Sequence, residues 1–271
     1  MPEALVTKMS KVVIKLGGGL ITDKSSAKTF DESSMADIAS AIAEVSDLGA
    51  SIILVHGAGS FGHILAKKWS IAEGLEQEIS SEQRDAVGSI RSDMKELNSM
   101  VMDKLRKSGL SCESFAPSNW AKGTGRSFSG DIGILNLPKG TIPVTFGDVV
   151  DKEDESEFGI LSGDDLMLRI SREIPGVTHV IFLIGDASGV MDKPPVFDGA
   201  KLITEWSTNT QYRSEHDSEI DVTGGIGLKL DRASEISEDV GQVWIIDGRR
   251  PKRILEILTR GKTIGTRILP S

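Results

Sequence analysis

The stretch VHGAGSFGH, residues 55–63, follows an apolar run at 51–55 that has the composition of a buried strand. Its glycines have the G-x-G-x-x-G spacing of a dinucleotide-binding turn, at Gly57, Gly59 and Gly62. That fingerprint needs a second strand about twenty residues later, ending in an acidic residue that binds a ribose. No β-branched run follows, and the acidic residues that do follow stand in polar surroundings. The spacing of these glycines therefore reflects either structural chance or a binding site for a phosphate group of another kind.

Short apolar runs alternate with longer amphipathic segments along the whole chain. Strands are predicted at 12–16, 51–55, 111–115, 142–146, 179–184, 242–246 and 263–268. Helices are predicted at 35–48, 81–107, 164–173, 228–238 and 252–259. Strands separated by helix-length segments indicate βα units, so we expect an α/β fold with a mainly parallel sheet covered on both faces.

Three segments need separate interpretation. Residues 151–157 are acidic and predict a solvated hairpin or loop, whereas 194–218 are polar and irregular and predict a mobile excursion. The apolar stripe of the helix at 81–107 is typical of core packing, with one wall of an apolar pocket as the alternative. No linker divides the chain, so we expect one domain over 1–271, and a break between two lobes would fall at 151–161.

Composition excludes several classes of protein. The chain has 271 residues and a net charge of −9, which argues against a general nucleic-acid or membrane surface. Its single cysteine, Cys112, allows no intrachain disulfide and fits a reducing compartment. The four histidines lack paired metal-ligand spacing, so no protein metal site is predicted. No apolar run approaches the roughly 20 residues that span a bilayer, and the first residues do not resemble a signal peptide, so we expect a cytoplasmic protein.

Further glycine-rich turns follow predicted strands in the same manner. They are IKLGGGLITDK (Lys15, Gly17, Gly18, Gly19, Lys24), TFGDVV (Gly147, Asp148), ILSGDDL (Ser162, Gly163, Asp164, Asp165), LIGDASGV (Gly185, Asp186) and DVTGGIGLKLDRA (Gly224, Gly225, Lys229). In an open parallel sheet the carboxyl ends of the strands meet at one edge, where ligands bind. Glycine there lets backbone N–H groups approach phosphate, and lysines with His63 would neutralise charge. The pattern predicts a site for two phosphate-bearing ligands and phosphoryl transfer between them.

These motifs resemble those of the amino-acid kinase superfamily, and most closely those of its isopentenyl phosphate kinases. The matching features, in family order from about residue 11 to 268, are K-L-G-G with I-T-x-K, H-G-A-G-S-F-G-H, G-D-V, S-G-D and D-V-T-G-G-x-x-x-K. K-L-G-G alone indicates only the superfamily. The octapeptide ending in His63, together with Lys24, is more specific to the isopentenyl phosphate branch and its fosfomycin-kinase-like neighbour.

The resemblance implies a three-layer αβα sandwich, commonly dimeric, that phosphorylates isopentenyl phosphate with ATP and Mg²⁺ in isoprenoid synthesis. It implies an acceptor-binding N-terminal lobe, about 10–150, and a nucleotide-binding C-terminal lobe, about 151–271. By motif, ATP would be held by Lys15, Gly17, Gly18, Gly19, Gly59, Asp186, Gly225 and Lys229. The acceptor phosphate would be held by Ala58, Gly62, His63 and Gly163. Lys15, Lys24 and His63 would act in catalysis, Lys24 by stabilising the transferring phosphoryl group.

Two departures from the family pattern fall on the nucleotide side. Gly19 stands where the family usually has Ser, and GDASGV replaces a commoner T-D-V-D-G-V. The alternatives are a fosfomycin-kinase-like or other small-acid kinase of the superfamily, and a nucleotide-binding protein without catalysis. An acceptor pocket lined by arginine would favour a small acid. The segment 83–94 offers both apolar residues and two arginines, and it mildly favours an apolar tail on the acceptor.

Overall fold

The computed structural model describes residues 10–23, 26–209 and 226–271. The strands in these ranges are β1 (Lys11–Leu16), β2 (Ser51–His56), β3 (Ser111–Ser114), β4 (Ala121–Lys122), β5 (Ser129–Gly130), β6 (Thr141–Phe146), β7 (Asp148–Asp151), β8 (Phe158–Leu161), β9 (Val177–Ile184), β10 (Glu205–Trp206), β11 (Gln242–Asp247) and β12 (Thr266–Ile268). The helices are α1 (Gly18–Ile21), α2 (Glu32–Asp47), α3 (Gly59–Lys68), α4 (Ser80–Lys107), α5 (Gly163–Glu173), α6 (Ile226–Ser237) and α7 (Arg253–Arg260).

Eight strands form one large sheet in the order β10-β12-β11-β9-β1-β2-β6-β3. β1 pairs in parallel with both β2 and β9, and β11, β6 and β3 extend the parallel arrangement outward. From β1 the chain builds the sheet on the β2 side and later returns to place β9 on the other side of β1. The order of the strands therefore reverses between β1 and β9, and ligands bind at the carboxyl ends of strands at such a point.

Alternate residues of β1 face opposite helical layers. Val12, Ile14 and Leu16 belong to a core that includes α2, α4 and α7, whereas Val13 belongs to a second core that includes α5 and α6. Lys15 shares the face of Val13, because side chains two residues apart along a strand point the same way. Helices cover both faces of the sheet, which confirms the expected α/β fold and its three-layer αβα arrangement.

A second, four-stranded sheet has the order β5-β4-β7-β8 and was not predicted. Its strands β4 and β5 have two residues each, which is too short for an apolar pattern. Gly147 alone separates β7 from β6, so the sequence does not mark β7 as a separate strand. β7 and β8 form an antiparallel hairpin around the acidic segment 151–157, as the composition of that segment predicts. Two arginines of α4 hold the hairpin: Arg84 lies 2.9 Å from Glu157 and Arg91 lies 2.6 Å from Asp151.

Every predicted strand and helix is present, with ends shifted by no more than three residues. The helices α1 and α3 were not predicted, because each begins among glycines that indicate a turn. The excursion at 194–218 contains the short strand β10, which pairs with β12, and its residues 210–218 lie outside the described ranges. None of the helices in the described ranges is both long enough and apolar enough to span a bilayer.

Candidate active site

The turns that follow β1 and β2 touch each other through their backbones. A Cβ atom added to Gly18 would stand 2.3 Å from the backbone N of Gly59, and one added to Gly57 would stand 2.7 Å from the N of Gly18. Any side chain at either position would therefore force the two turns apart. The first turn is also fixed to β9, because the N–H of Gly17 donates to the carbonyl of Leu183 at 2.9 Å. Glycine is needed here for close approach, as phosphate-binding turns require.

Gly59 begins α3 with a φ of +50°, a backbone conformation that L side chains rarely adopt. The position also leaves no space for a Cβ, which would overlap the hydroxyl of Thr22. That hydroxyl donates to the carbonyl of Gly18 at 2.8 Å and accepts from the N–H of Ser60 at 3.0 Å. Thr22 thus joins the turn after β1 to the first turn of α3.

Two lysines share a single carboxylate oxygen beside these turns. The ammonium group of Lys15 lies 2.5 Å from Oδ1 of Asp164, and that of Lys229 lies 3.1 Å from the same atom. All three side chains are at least 90 % buried. Lys229 also lies over the ring of Phe182, 5.3 Å from its centroid. Because one negative charge faces two ammonium groups, this cluster can accommodate added negative charge when both lysines are protonated.

Burial governs the protonation of this cluster. Burial lowers the pKa of Lys15 to about 7; Asp164 opposes this shift and Lys229 adds to it. Burial alone would raise the pKa of Asp164, but the charges of Lys15 and Lys229 outweigh it and hold that pKa at about 2. Asp164 is therefore ionised at neutral pH, whereas Lys15 is poised to gain or lose a proton.

The sequence places Asp164 through the start of α5. Ser162 caps this helix by accepting the N–H of Asp164 on its side chain at 3.1 Å. Gly163 leaves space for Lys15, since a Cβ there would stand 3.1 Å from Cε of the lysine. The next carboxylate, Asp165, is buried against Arg232 of α6 at 2.7 Å and so holds α5 to the helix that carries Lys229.

A third turn, after β9, packs on the first. A Cβ on Gly185 would stand 3.0 Å from the carbonyl O of Gly19, so the glycine of GDASGV permits this contact. Asp186 is exposed beside it. Arg249 follows β11 and binds the buried Asp247 at 2.8 Å; this hydrogen bond raises the pKa of Arg249, and Asp186 adds a smaller charge effect in the same direction. This edge therefore carries charges of both signs.

The remaining predicted acceptor residues lie on or next to α3. Ala58 precedes the helix, and His63 is exposed on its second turn. Gly62 is buried, and a Cβ there would stand 2.7 Å from that of Ala58 and 3.4 Å from Sδ of Met94 in α4. The stripe of α4 that the sequence identifies is buried in the core that includes α3.

A buried histidine, His56, ends β2 and contacts the turn that follows it. His56 stacks on Phe146 with ring centroids 5.1 Å apart, its Nδ1 lies 3.0 Å from the carbonyl O of Gly57, and its Nε2 faces Asn98 at 3.2 Å. Burial lowers the pKa of His56 to about 4, so the ring is neutral at neutral pH. A neutral ring carries one N–H, which can donate either from Nδ1 to the carbonyl O of Gly57 or from Nε2 to Oδ1 of Asn98.

The structure thus brings most of the predicted residues to one edge of the sheet, but not all can be placed. Lys15, Gly163 and Lys229 meet at Asp164, and Gly18 meets Gly59. Lys24 and Gly225 lie outside the described residues. Sequence reasoning did not select Asp164 or Thr22 as site residues, although both stand within the quoted motifs S-G-D and I-T-x-K. A buried carboxylate between two buried lysines becomes recognisable only when the fold joins them.

The described ranges contain no group of three or more His, Cys, Asp or Glu side chains that could hold a metal ion. Asp164, the buried carboxylate nearest the lysines, already accepts from two ammonium groups. Mg²⁺ usually binds one or two carboxylates together with substrate phosphates and water. This donor set fits an ion that is held mainly by nucleotide phosphates.

Comparison with known proteins identifies the family of this chain. Residues 10–247 match the amino acid kinase family. The chain is 32% identical to the isopentenyl phosphate kinase of Thermoplasma acidophilum, over 91% of this chain and 95% of that protein. It is 31% identical to the isopentenyl phosphate kinase of Methanothermobacter thermautotrophicus, over 95% of this chain and 98% of that protein.

Solved structures give the same result. The T. acidophilum isopentenyl phosphate kinase in its product complex superposes with a TM-score of 0.79 at 28% identity and covers 96% of this chain and 100% of that one. Another isopentenyl phosphate kinase structure superposes with a TM-score of 0.81 at 30% identity, over 95% of this chain and 99% of that one. The chain belongs to the amino acid kinase family, within its isopentenyl phosphate kinase branch.

Proposed function

We propose that this protein transfers the terminal phosphoryl group of ATP to isopentenyl phosphate, forming isopentenyl diphosphate. The observation that carries the proposal is the buried pair Lys15 and Lys229 on Asp164, beside two glycine turns in direct backbone contact. Two phosphate groups bound at touching turns would lie close enough to react. The kinases to which the chain is similar are named for this acceptor.

In this proposal the turn after β1 and the lysine cluster hold the nucleotide. Backbone N–H groups of Gly17, Gly18 and Gly19 would face its phosphates, with Gly59 adding a donor. Lys15 and Lys229 would offset the charge that shifts to the leaving phosphate as the bond to the transferred phosphoryl group breaks. Gly225 and Asp186 would complete the nucleotide side.

The acceptor phosphate would bind at the first turns of α3 and α5. Ala58, Gly62 and Gly163 would approach it with backbone, and His63 would donate a hydrogen bond to it. Both helices are long enough for their N-termini to favour an anion. Lys24 would stabilise the phosphoryl group during transfer.

A phosphate acceptor suits the chemistry of this site. A phosphate monoester has a second pKa near ~6, so its oxygen is already ionised at neutral pH and needs no carboxylate base to attack. Asp164 is held by two lysines and is a poor base, since its pKa is about 2. Transfer would then require positioning and charge neutralisation, which glycine turns and lysines supply.

Two arginines bear on the choice between an apolar and a small acidic acceptor. Arg84 and Arg91 of α4 are paired with carboxylates of the β7–β8 hairpin. They are therefore occupied, whereas Ile90 and Met94 of the same helix are buried against α3 near Gly62. The occupied arginines favour an acceptor with an apolar tail over a small acid such as fosfomycin.

Five further features belong to the same proposal. The enzyme would use Mg²⁺ carried by the nucleotide phosphates, function as a homodimer in the cytoplasm, and serve isoprenoid synthesis in a mevalonate pathway. As a single domain, it would bind the acceptor mainly with its N-terminal lobe and the nucleotide mainly with its C-terminal lobe, with the turn after β1 also on the nucleotide and Gly163 also on the acceptor. Free, buried Cys112 fits a reducing compartment.

An acceptor panel tests the proposal. Purified protein with ATP and Mg²⁺ is offered isopentenyl phosphate, fosfomycin, glutamate and N-acetylglutamate, and ADP release and product mass are measured. We expect turnover with isopentenyl phosphate at the highest kcat/KM of the panel. Turnover restricted to fosfomycin or an amino acid would show that this compound, and not isopentenyl phosphate, is the acceptor. Nucleotide binding without turnover on any acceptor would favour a non-catalytic protein.

A further inference from the structure

Thr22 uses both hydrogen-bonding capacities of its hydroxyl to connect the two glycine turns. The residue follows α1 directly and is only 4% exposed. Its Oγ1 donates to the carbonyl of Gly18, in the turn after β1, and accepts from the N–H of Ser60, next to Gly59 in the turn after β2. One rigid side chain therefore relates the positions of the two turns.

The segment that follows Thr22 strengthens the connection. The backbone N–H of Lys28 donates to the carbonyl of Ser60 at 3.4 Å, and that of Thr29 donates to its hydroxyl at 3.2 Å. The side chain of Lys28 forms an ion pair with Asp93 of α4. Ser60 thus has its N–H, its carbonyl and its hydroxyl all bonded to residues between 22 and 29.

We propose that Thr22 is a positioning residue that sets the separation between the nucleotide and acceptor phosphates. The inference rests on the proposed function, in which the turn at 17–19 holds the nucleotide, and Ala58 with the first turn of α3 holds the acceptor. Thr22 acts through the backbone and touches neither substrate. Reacting atoms must lie about 3–3.5 Å apart and in line, and a misplacement of about 1 Å can cost about 100-fold in rate. A residue that spaces the turns should therefore control kcat more than either KM.

Replacement of the hydroxyl by a methyl group tests this role. Thr22→Val preserves the shape of the side chain but forms neither hydrogen bond, so the link through the Thr22 hydroxyl is removed while the other contacts between the turns remain. We expect kcat to fall about 10- to 100-fold, with the KM values for ATP and isopentenyl phosphate each within about threefold of wild type. Thr22→Ser retains the hydroxyl and should retain kcat within about threefold.

Thr29→Val is the matched control. Its hydroxyl lies in the same segment and donates to the carbonyl of Ala27 at 3.3 Å, while its backbone N–H still reaches Ser60. Its kcat should equal that of wild type. Thermal melting of all three variants separates altered spacing from unfolding, and Thr22→Ala replaces Thr22→Val if the valine variant does not fold.

A second readout measures spacing directly. A conjugate in which the γ-phosphate of ATP is joined to isopentenyl phosphate occupies both turns at once, so its affinity depends on their separation. We expect Thr22→Val to weaken the conjugate at least tenfold while each separate substrate binds as before. A kcat within twofold of wild type, an equal defect in Thr22→Ser, a change confined to KM, or an unchanged affinity for the conjugate would each overturn the inference.

Wild-type turnover, measured first, keeps the two proposals apart. If the wild-type protein does not phosphorylate isopentenyl phosphate, the proposed function fails whatever Thr22 does. The same comparison of variants is then made with the acceptor that the panel identifies, because the spacing argument requires only that the two turns hold the two reacting groups. If wild type is active and Thr22→Val is equally active, the positioning role alone is excluded.

Discussion

Lys15 and Lys229 donate to the same oxygen of one buried carboxylate, although 214 positions separate them in the sequence. Asp164 therefore has two functions. Its negative charge offsets the free-energy cost of burying two ammonium groups, and its Oδ1 holds both groups at the edge of the sheet. Removal of one partner of a buried ion pair leaves the other charge uncompensated, which costs more than the loss of a surface pair.

Asp164→Asn should therefore destabilise the protein by about 3–5 kcal/mol and abolish most of its activity. Denaturant unfolding and steady-state kinetics measure the two effects. Asp165→Asn is the matched control, because this carboxylate is equally buried and pairs with Arg232 away from the lysines. We expect it to lose similar stability but to retain kcat within about threefold in the folded protein; an equal loss of kcat would mean that Asp164 acts only by stabilising α5.

Nucleotide binding should be accompanied by proton uptake. With its pKa at about 7, Lys15 is largely neutral at pH 8 in the free protein, and a bound phosphate favours its charged form. Calorimetric titration with ATP in buffers of different ionisation enthalpy should therefore detect uptake of about one proton at pH 8 and almost none at pH 6. Lys15→Met, which cannot titrate, should show no such uptake. Uptake that persists in this variant would assign the proton to another group.

Substitution of His63 should weaken catalysis with the acceptor without changing the affinity for ATP. His63→Ala should lower kcat/KM for isopentenyl phosphate about 100- to 1,000-fold, as the loss of one charge-stabilising donor does elsewhere, while the Kd for ATP stays the same. The control is Ile64→Ala, since Ile64 is the exposed neighbour of His63 on α3. Unchanged turnover in His63→Ala would remove the histidine from the acceptor site.

Acid should destabilise the protein through His56. The unfolded chain protonates this residue near its ordinary pKa of 6.5, whereas the folded protein resists protonation until about pH 4. The contribution of His56 to the free energy of unfolding should accordingly fall as pH drops through 6.5 and level off below 4, by about 3 kcal/mol in all. The difference between wild type and His56→Gln isolates this contribution from that of His179, whose pKa burial also lowers. Parallel curves for the two proteins would contradict the assignment.

Two glycine-to-alanine substitutions should have opposite effects, because only one of the two glycines lies in the contact between the turns. Gly18→Ala places a Cβ against the backbone of Gly59 and should reduce both stability and activity. Gly88→Ala meets nothing within 4 Å in the middle of α4 and should stabilise the protein by about 0.5–1 kcal/mol through helix propensity. Thermal melting and kinetics on both variants check the pair. Normal activity in Gly18→Ala would show that the turns tolerate separation.

The sequence predicted the sheet and one edge of the site because both depend on local patterns. Apolar runs of five or six residues mark β1, β2 and β6, and glycine directly after each run marks the carboxyl ends that a parallel sheet brings together. The small sheet has no such signal, because β4 and β5 contain two residues each and form only against β7.

What escaped prediction depends on contacts between distant segments. Asp164 lies in a segment that indicates a helix start, and nothing near it in sequence suggests that two lysines will face it. Thr22 stands in a polar stretch after a glycine turn, where a hydroxyl usually meets water. Its buried position arises because α3 begins at Gly59, which the turn after β1 then contacts. Pairing of this kind is specified by the tertiary fold alone.

Where Gly18 contacts Gly59, the surface of the site is formed by backbone atoms and carries no side chain. Peptide groups are chemically the same whichever residue carries them, so a substitution cannot change the chemistry of this backbone surface. It can only add atoms where none fit. Changes in which molecules the protein accepts must then come from the side chains around the two turns. In evolutionary terms the fold separates a part that must stay constant from parts that are free to diverge.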